Sequence, residues 1–301
     1  MSEERLKQHR NAIDAIDVEV LKLLNQRASH AREIGEIKGG GVIYRPEREA
    51  QVLRRLKDLN PGPLPSESVA RLFREVMSEC LALEKPLSIA YLGPEGTFSQ
   101  LATIKHFGHA ARAVACSSID EAFRLVESRA LDYVVAPVEN STEGAVGRTL
   151  DLMVSSPLKI CGEVVLRIHH HLLRKVEGVD GIRRVYAHAQ ALAQCHEWLN
   201  KNLPADVERV SVASNAEAAR LVAEDDTAAA IAGQAAAERY ALVKLAENVE
   251  DEPNNTTRFL VLGLQDVGPS GQDKTSIVVS APTGRVRSTS CWSRWRPTAC
   301  R

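Results

Sequence analysis

The chain lacks a surplus of charge of one sign, a long apolar run and any closely spaced pair of cysteines. Its 301 residues carry 38 basic and 39 acidic side chains, for a formal net charge of -1, so no overall field favours binding to nucleic acid or to an anionic membrane. No apolar run approaches the roughly 18 residues of a membrane-spanning helix. These absences predict a cytoplasmic protein whose ligand specificity is local.

The cysteines and histidines give no metal-binding pattern. Cys80, Cys116, Cys161 and Cys195 are widely separated within patterned sequence, and we expect reduced thiols that mostly serve packing. The tract 169–171 holds three consecutive histidines, but alternation along a strand would point neighbouring side chains to opposite faces. The sequence therefore predicts no metal site.

The first helical segment carries positive charge on the stripe that would face partner helices. Residues at alternating three- and four-residue spacing are Arg10, Ile13, Asp17, Val20, Leu24, Arg27, Ala31, Ile34 and Lys38. Such a stripe normally buries aliphatic side chains, and buried cations need anions to pair with them. Any one of the three cations, Arg10, Arg27 and Lys38, could instead extend its long side chain to the rim of the interface. Three together indicate a site for an anionic ligand.

Three helices are predicted before residue 85. The first runs from about residue 4 to 38, and a helix of roughly 50 Å is too long for so small a segment to cover. The second begins at Pro46, and the third follows the proline-rich break at 61–65 and carries Cys80 and Glu84 on successive turns. We expect an all-α three-helix domain at 1–85 that buries its long helix by intertwining with a second copy.

From residue 87 onward, short β-type runs alternate with helices. Strands are predicted at 88–92, 132–138, 184–187, 207–212, 228–232 and 256–262, and helices at 97–107, 118–128, 146–153, 190–203, 216–223 and 234–240. Two successive α/β halves predict two open sheets with a ligand cleft between them, in a domain spanning 87–264. The last strand could return to the first half and act as a hinge.

Polar loops follow two of these strands. The segment 93–99 has the sequence Gly-Pro-Glu-Gly-Thr-Phe-Ser. Its unpaired backbone N–H groups and the hydroxyls of Thr97 and Ser99 could bind an anion, although a plain helix cap would also explain the sequence. The segment 137–144, Pro-Val-Glu-Asn-Ser-Thr-Glu-Gly, repeats the arrangement. Its candidate ligand-binding residues are Glu139, Asn140 and Ser141.

A third polar cluster opens the last predicted strand. Its sequence is Asn254-Asn255-Thr256-Thr257-Arg258-Phe259. Arg258 offers a bidentate grip on a carboxylate, and the threonines offer directed hydroxyls, although a simple turn before a strand is an alternative. His188 and Gln190 begin a helix of the second half and could line the opposite wall of the cleft.

In combination these motifs resemble two enzyme families joined in one chain. The helical domain resembles chorismate mutase, and the second domain resembles prephenate dehydratase, a two-lobed α/β fold of the periplasmic-binding-protein-like (type II) class. Their order is that of the bifunctional P-protein family of phenylalanine biosynthesis. The resemblance covers residues 3–282. It rests on Arg10, Arg27, Lys38 and Glu47, and on the motifs Gly-Pro-Glu-Gly-Thr-Phe-Ser, Pro-Val-Glu-Asn-Ser and Thr-Thr-Arg-Phe.

The resemblance implies roles in the rearrangement of chorismate. Arg10 and Arg27 would bind its carboxylates, and one of these arginines could come from the partner subunit. Lys38 would bind the ether oxygen. Glu47 would accept a hydrogen bond from the ring hydroxyl, and no cofactor is required. Cys80 and Glu84 complete the expected chorismate site. Glu84 stands where many relatives have Gln, so it must be protonated to donate a hydrogen bond.

The resemblance also implies roles in the decarboxylation and dehydration of prephenate. Thr257 would be the essential hydroxyl and Arg258 a carboxylate anchor, with Glu139 or His188 as the proton donor, because threonine is too weakly acidic to act alone. The other expected prephenate-binding residues are Thr97, Ser99, Asn140, Ser141, Gln190, Asn255, Thr256 and Phe259. A non-enzymatic solute-binding or effector-sensing protein is the alternative, but it explains neither the cationic helix nor the hydroxyl cluster.

The C-terminal segment departs from the family. Residues 273–282 resemble the first strand of an ACT domain, a regulatory module that binds phenylalanine, and a lone strand cannot build an effector site. Residues 283–301 hold five arginines and no Asp or Glu, a composition that looks like translation out of frame. We expect a disordered tail with oxidation-prone Cys291 and Cys300, and no inhibition by phenylalanine.

Overall fold

A computed structural model describes residues 2–39 and 44–277. The N-terminal part consists of three helices, α1 (Ser2–Lys38), α2 (Pro46–Leu59) and α3 (Ser66–Ala82). Proline occupies the first turn of α2, where its missing N–H would have no partner within the helix. The three helices begin within two residues of the predicted positions.

Helix α1 exposes its apolar side chains along its whole length. Ile13 and Ile34 of the predicted stripe are 55% and 50% exposed, and the cations Arg10 and Lys38 are exposed as well. Further exposed aliphatic residues on α1 are Leu6, Ile16, Val18, Val20, Leu21, Leu23, Leu24 and Ile37. Arg27 and Ala31 are half-buried, and the described residues of one chain leave the rest of the stripe uncovered.

Two lobes of alternating strands and helices follow. The first lobe comprises β1 (Ser88–Leu92), α4 (Phe98–Phe107), β2 (Arg112–Cys116), α5 (Ile119–Glu127), β3 (Tyr133–Asn140), β4 (Gly144–Ala145), α6 (Gly147–Ser155) and β5 (Lys159–Arg167). The second comprises β6 (His171–Arg174), β7 (Arg184–His188), α7 (Ala189–Gln194), α8 (His196–Asn202), β8 (Glu208–Val212), α9 (Asn215–Val222), β9 (Ala228–Ala232), α10 (Gln234–Arg239) and β10 (Val243–Ala246). The chain then returns through β11 (Thr256–Gly263).

Each lobe is built on its own mixed sheet. The first sheet has the order β2-β1-β3-β11-β5, with β4 paired to β3, and the second has the order β10-β6-β9-β7-β8. Strand β11 pairs antiparallel with β3 and β5 of the first sheet, so the chain crosses between the lobes twice. This confirms the predicted two-lobed fold class and the return of the last strand to the first half.

Several elements differ from the sequence prediction. The single helix expected at 190–203 is broken at Cys195 into α7 and α8, because the Asp251 carboxylate accepts hydrogen bonds from the backbone N–H groups of Glu197 and Trp198 and so caps a new helix. Strands β2, β4, β5, β6 and β10 were missed. Residues 273–277 form neither helix nor strand, and the predicted tail at 283–301 lies outside the described residues.

The structure also bears on the composition arguments. In the described part of the chain, no helix is both long and apolar enough to cross a membrane. Cys80, Cys116, Cys161 and Cys195 are free and buried, in agreement with their expected packing role. Burial raises the pKa of the Cys161 thiol to about 11, which keeps this group protonated at neutral pH.

Candidate active sites

The helical domain brings part of the predicted chorismate site together where α1 meets the end of α3. A Cβ atom placed on Gly35 would lie 2.7 Å from Cγ of Glu84, so Glu84 packs directly against α1, and Lys38 follows less than one turn later. Cys80 lies one turn before Glu84 and is 5% exposed. The Oε2 atom of Glu84 is buried and has no hydrogen-bond partner among the described residues. An oxygen left in this state costs free energy unless a ligand pairs with it.

The two predicted arginines lie far from this point along the same helix. At about 1.5 Å per residue, Arg27 is roughly 17 Å and Arg10 roughly 42 Å from Lys38 along α1. A chorismate molecule is too small to span the larger distance. Arg10 and Lys38 of one chain therefore cannot contact the same molecule.

The start of α2 holds two glutamates that differ in environment. Glu47 is partly buried, and its Oε1 lies 3.8 Å from the Arg45 guanidinium. Glu49, which the sequence reading missed, has Oε1 3.5 Å from Nε of Arg74, and burial raises its pKa to about 7. The available signal was helical spacing, because Glu49 lies one turn before Leu53, a buried position of α2.

A cleft of about 680 Å³ lies between the two lobes of the α/β domain. Six of the predicted prephenate-binding residues line it, namely Thr97, Ser99, His188, Gln190, Thr257 and Phe259. Ser117, Ser214 and Asn215 also line it, and the sequence analysis missed them. Ser117 follows the missed strand β2, so its position at the carboxyl end of the sheet was not recognised.

Capped helix N-termini face this cleft from both lobes. Thr97 caps α4, accepting from the backbone N–H of Gln100, while its own hydroxyl donates to Pro94 O at 2.9 Å. Ser214 caps α9 by accepting from the backbone N–H of Glu217. Free N–H groups and helix dipoles at such ends favour anions. The cleft is therefore suited to a carboxylate ligand.

The Thr257 hydroxyl is held at the cleft wall by Asn140. Asn140 Nδ2 donates to Thr257 Oγ1 at 2.8 Å and to Asn255 Oδ1 at 2.9 Å. Because the Thr257 oxygen is the acceptor in this contact, its hydrogen remains free to be donated elsewhere. Thr257 lines the cleft, so a ligand there can receive that hydrogen.

The remaining predicted residues lie outside the lining of the cleft and hold β11 in place. The Arg258 guanidinium donates to Glu139 Oε2 at 2.8 Å and to Glu163 Oε2 at 3.4 Å. The Thr256 backbone N–H donates to Ser141 Oγ at 2.9 Å. Since successive strand residues face opposite sides, Arg258 points away from the face of Thr257 and Phe259. A substrate carboxylate would have to displace Glu139 to reach it.

Comparison with known proteins agrees with this two-domain arrangement. Residues 9–85 match the family model of chorismate mutase type II, and residues 89–267 match that of prephenate dehydratase. A bifunctional chorismate mutase/prephenate dehydratase of Neisseria gonorrhoeae is 67% identical over 93% of this chain and 78% of that protein. One of Stutzerimonas stutzeri is 54% identical over 93% of this chain and 79% of that protein.

A solved structure supports the assignment of the second domain. The crystal structure of prephenate dehydratase from Arthrobacter aurescens in complex with L-Phe aligns with a TM-score of 0.56 and 32% identity, covering 63% of this chain and 63% of that one. The helical domain and the two-lobed domain thus define an enzyme that joins an isomerase to a carbon–oxygen lyase. The chain belongs to the bifunctional chorismate mutase/prephenate dehydratase family, which serves phenylalanine biosynthesis.

Proposed function

We propose that the helical domain rearranges chorismate to prephenate at sites shared between two copies of the chain. The observation that carries this proposal is the separation of roughly 42 Å between Arg10 and Lys38 along α1. If both residues bind one chorismate, they must come from different chains. The uncovered apolar face of α1 supports a second copy as the partner, because an intertwined dimer would bury this face in both chains.

In this site the side chains bind and orient the substrate, and no covalent step on the enzyme is needed. The rearrangement breaks the ether C–O bond and forms a C–C bond within one molecule, and partial negative charge develops on the ether oxygen. Lys38 and a protonated Glu84 donate to that oxygen. Arg27 and the partner's Arg10 hold the two carboxylates, which fixes the reactive conformation.

The ring hydroxyl of chorismate needs an acceptor near the start of α2. Glu47 remains our candidate, because it is partly buried and its contact with Arg45 is long, at 3.8 Å. Glu49 is the second candidate, since its raised pKa of about 7 reflects a buried carboxyl that a ligand hydroxyl could satisfy. Cys80 packs beside Glu84 and shapes this end of the site.

We propose that the cleft of the second domain binds prephenate and that Thr257 assists the departure of its ring hydroxyl. The bond to the ring carboxylate breaks and releases carbon dioxide, while its electron pair enters the ring and expels the hydroxyl, which takes up one proton and leaves as water. The free hydrogen of Thr257 directs that hydroxyl. Thr97, Ser99 and Gln190 lie where they can contact the substrate carboxylates.

His188 is the better candidate for the proton donor. Its Nδ1 accepts from the backbone N–H of Gln190, which leaves Nε2 to carry a proton, and His188 lines the cleft. Glu139 lies outside the lining and is bound to Arg258, so donation from Glu139 requires a rearrangement. Asn140, Asn255, Ser141, Thr256 and Arg258 would then act by holding the loop and the strand that present Thr257.

One assay tests both activities of the purified protein. Incubation with chorismate should yield phenylpyruvate, detected by its ultraviolet absorbance in alkali, and supplied prephenate should yield the same product. Formation of prephenate alone would restrict activity to the helical domain. No turnover of either compound, by protein that is folded by circular dichroism, would contradict both proposals.

A further inference from the structure

A buried chain of hydrogen bonds runs from Thr257 to a histidine that no catalytic step uses. Asn140 Nδ2 contacts Thr257 Oγ1 and Asn255 Oδ1. Asn255 Nδ2 then donates to Gln194 Oε1 at 3.0 Å, and His170 Nε2 lies 3.1 Å from the same oxygen. His170 and Asn255 are each 2% exposed. The chain therefore ends on a side chain closed off from solvent.

The direction of every bond in this chain follows from two backbone groups. The N–H groups of Thr142 and Glu143 both point at one terminal atom of the Asn140 side chain, at 3.0 Å and 3.2 Å, and that atom must be its oxygen. Its NH₂ group must then face Thr257 and Asn255, so Asn255 presents its oxygen to Asn140 and its NH₂ to Gln194. Gln194 must in turn present its oxygen.

This ordering determines the state of the histidine. Because the Gln194 oxygen is the acceptor, Nε2 of His170 must carry a hydrogen, and in the neutral ring Nδ1 then has none. Burial lowers the pKa of His170, which favours the neutral form. Nδ1 of His170 and Nε2 of Gln194 are buried without hydrogen-bond partners among the described residues. Such unsatisfied groups destabilise a fold, so stability alone does not explain the arrangement.

The hydrogen-bond chain also connects the two lobes near the point where the polypeptide passes from one to the other. Thr257 and Asn140 belong to the first sheet, and Gln194 lies at the end of α7 in the second lobe. His170 lies between β5 and β6, where the chain first crosses, and its ring packs edge-on against Phe98 at 5.7 Å between centroids. Phe98 lines the cleft. A change at His170 can therefore reach Thr257 from the segment that connects the two lobes.

We propose that His170 is a positioning residue of the dehydratase, whose Nε2–H holds Gln194 at the far end of the hydrogen-bond chain and so, through Asn255 and Asn140, keeps the Thr257 hydroxyl in place for the substrate. This inference rests on the proposed role of Thr257. It assigns a function to the middle residue of the histidine tract. The other two residues have separate partners, since His169 contacts Glu250 and His171 accepts from the backbone N–H of Asn248.

Replacement of His170 tests the proposal against matched controls. His170→Phe keeps a buried ring without the donor, and it should lower the dehydratase kcat about tenfold, the effect of one oriented hydrogen bond, with little change in KM. His170→Gln places an N–H near the Nε2 position and should restore most of kcat. His171→Phe, a change of equal size at the neighbouring buried histidine, should leave kcat within about threefold. Mutase activity of each variant reports that the chain has folded.

A double variant separates this inference from the role of Thr257. If His170 acts through Thr257, adding His170→Phe to Thr257→Ala should cause no further loss of the residual rate. Independent, multiplied losses would overturn the inference, as would an unchanged kcat in His170→Phe or no recovery in His170→Gln. If His170→Phe fails to fold, His170→Asn, whose amide ends near Nδ1, replaces it with the same expectation. Full activity of Thr257→Ala would instead refute the proposed function itself.

Discussion

The Tyr44 hydroxyl lies 3.1 Å from Nε2 of His106, and this contact joins the two catalytic domains. Tyr44 precedes α2 of the mutase domain, yet it is 5% exposed and packs in the dehydratase core with Phe107 and Tyr133. The side chain of Gln265 also donates to the Tyr44 backbone oxygen. The start of α2, which carries the candidate acceptors of the chorismate site, is therefore anchored to the second domain.

Tyr44→Ala should destabilise the whole protein, since it empties a site in the shared core. The expected loss of unfolding free energy is about 3–5 kcal/mol, the range for large aromatic truncations. Tyr44→Phe keeps the ring and loses only the hydrogen bond, so about 1 kcal/mol is expected. Urea unfolding followed by circular dichroism gives both values. Equal losses in the two variants would show that ring packing is not the main contribution.

The protein should lose stability below pH 6.5 because of His106. Burial lowers the pKa of His106 to about 4, whereas an unfolded histidine titrates near 6.5. The unfolded chain therefore binds a proton that the folded chain rejects, and roughly 3 kcal/mol of stability is lost as pH falls from about 6.5 to 4.

His106→Gln can keep the bond to Tyr44 without titrating, so its unfolding free energy should decline less on acidification. Glu49 acts in the opposite direction. Its pKa, raised to about 7 by burial, makes stability fall as pH rises from about 4.5 to 7. The His106 contribution is therefore measured as the difference between the parent protein and the variant at pH 7.5 and 4.5. Parallel curves would show that His106 does not titrate as expected.

Local patterns sufficed for the fold class and for most helices, whereas five of the strands and the side-chain contacts distant in sequence did not follow from them. Apolar spacing and proline breaks gave α1 to α3, and Thr257 was placed at the cleft from its motif. Asn140, which donates a hydrogen bond to Thr257, is 117 residues away in the sequence, and no spacing rule predicts such a pair. The direction of Arg258, away from the cleft, could have been predicted, because successive strand residues face opposite sides. The sequence analysis instead treated the motif as one cluster.

The two catalytic centres should respond to separate substitutions. Arg27→Ala should abolish mutase activity and spare dehydratase activity on supplied prephenate, because the arginine lies on α1 and the cleft lies in the other domain. Thr257→Ala should do the reverse. Each variant serves as the folding control of the other. Equal loss of both activities in either variant, with an unchanged circular dichroism spectrum, would count against independent centres.

Two inactive mutase variants should complement each other when mixed. In a shared site Arg10→Ala and Lys38→Ala each disable both sites of their own dimer, but a mixed dimer has one site with both residues intact. Random exchange should therefore restore about a quarter of the parent activity. The measurement is the mutase rate after unfolding and refolding the mixture, with each variant refolded alone as the control. No recovery, in a mixture shown to contain mixed dimers, would place both residues in the same chain's site.

Mutase activity should increase as pH falls below neutral because Glu84 must carry a proton to act. An ionised carboxylate can only accept hydrogen bonds, whereas the ether oxygen needs a donor in the transition state. The buried Oε2 of Glu84 has no partner among the described residues and belongs to the proposed chorismate site. Glu84→Gln supplies an N–H at every pH and should flatten the profile while keeping a high rate. Steady-state rates from pH 5 to 8 for both proteins decide the matter, and a flat profile for the parent protein would rule out this role for Glu84.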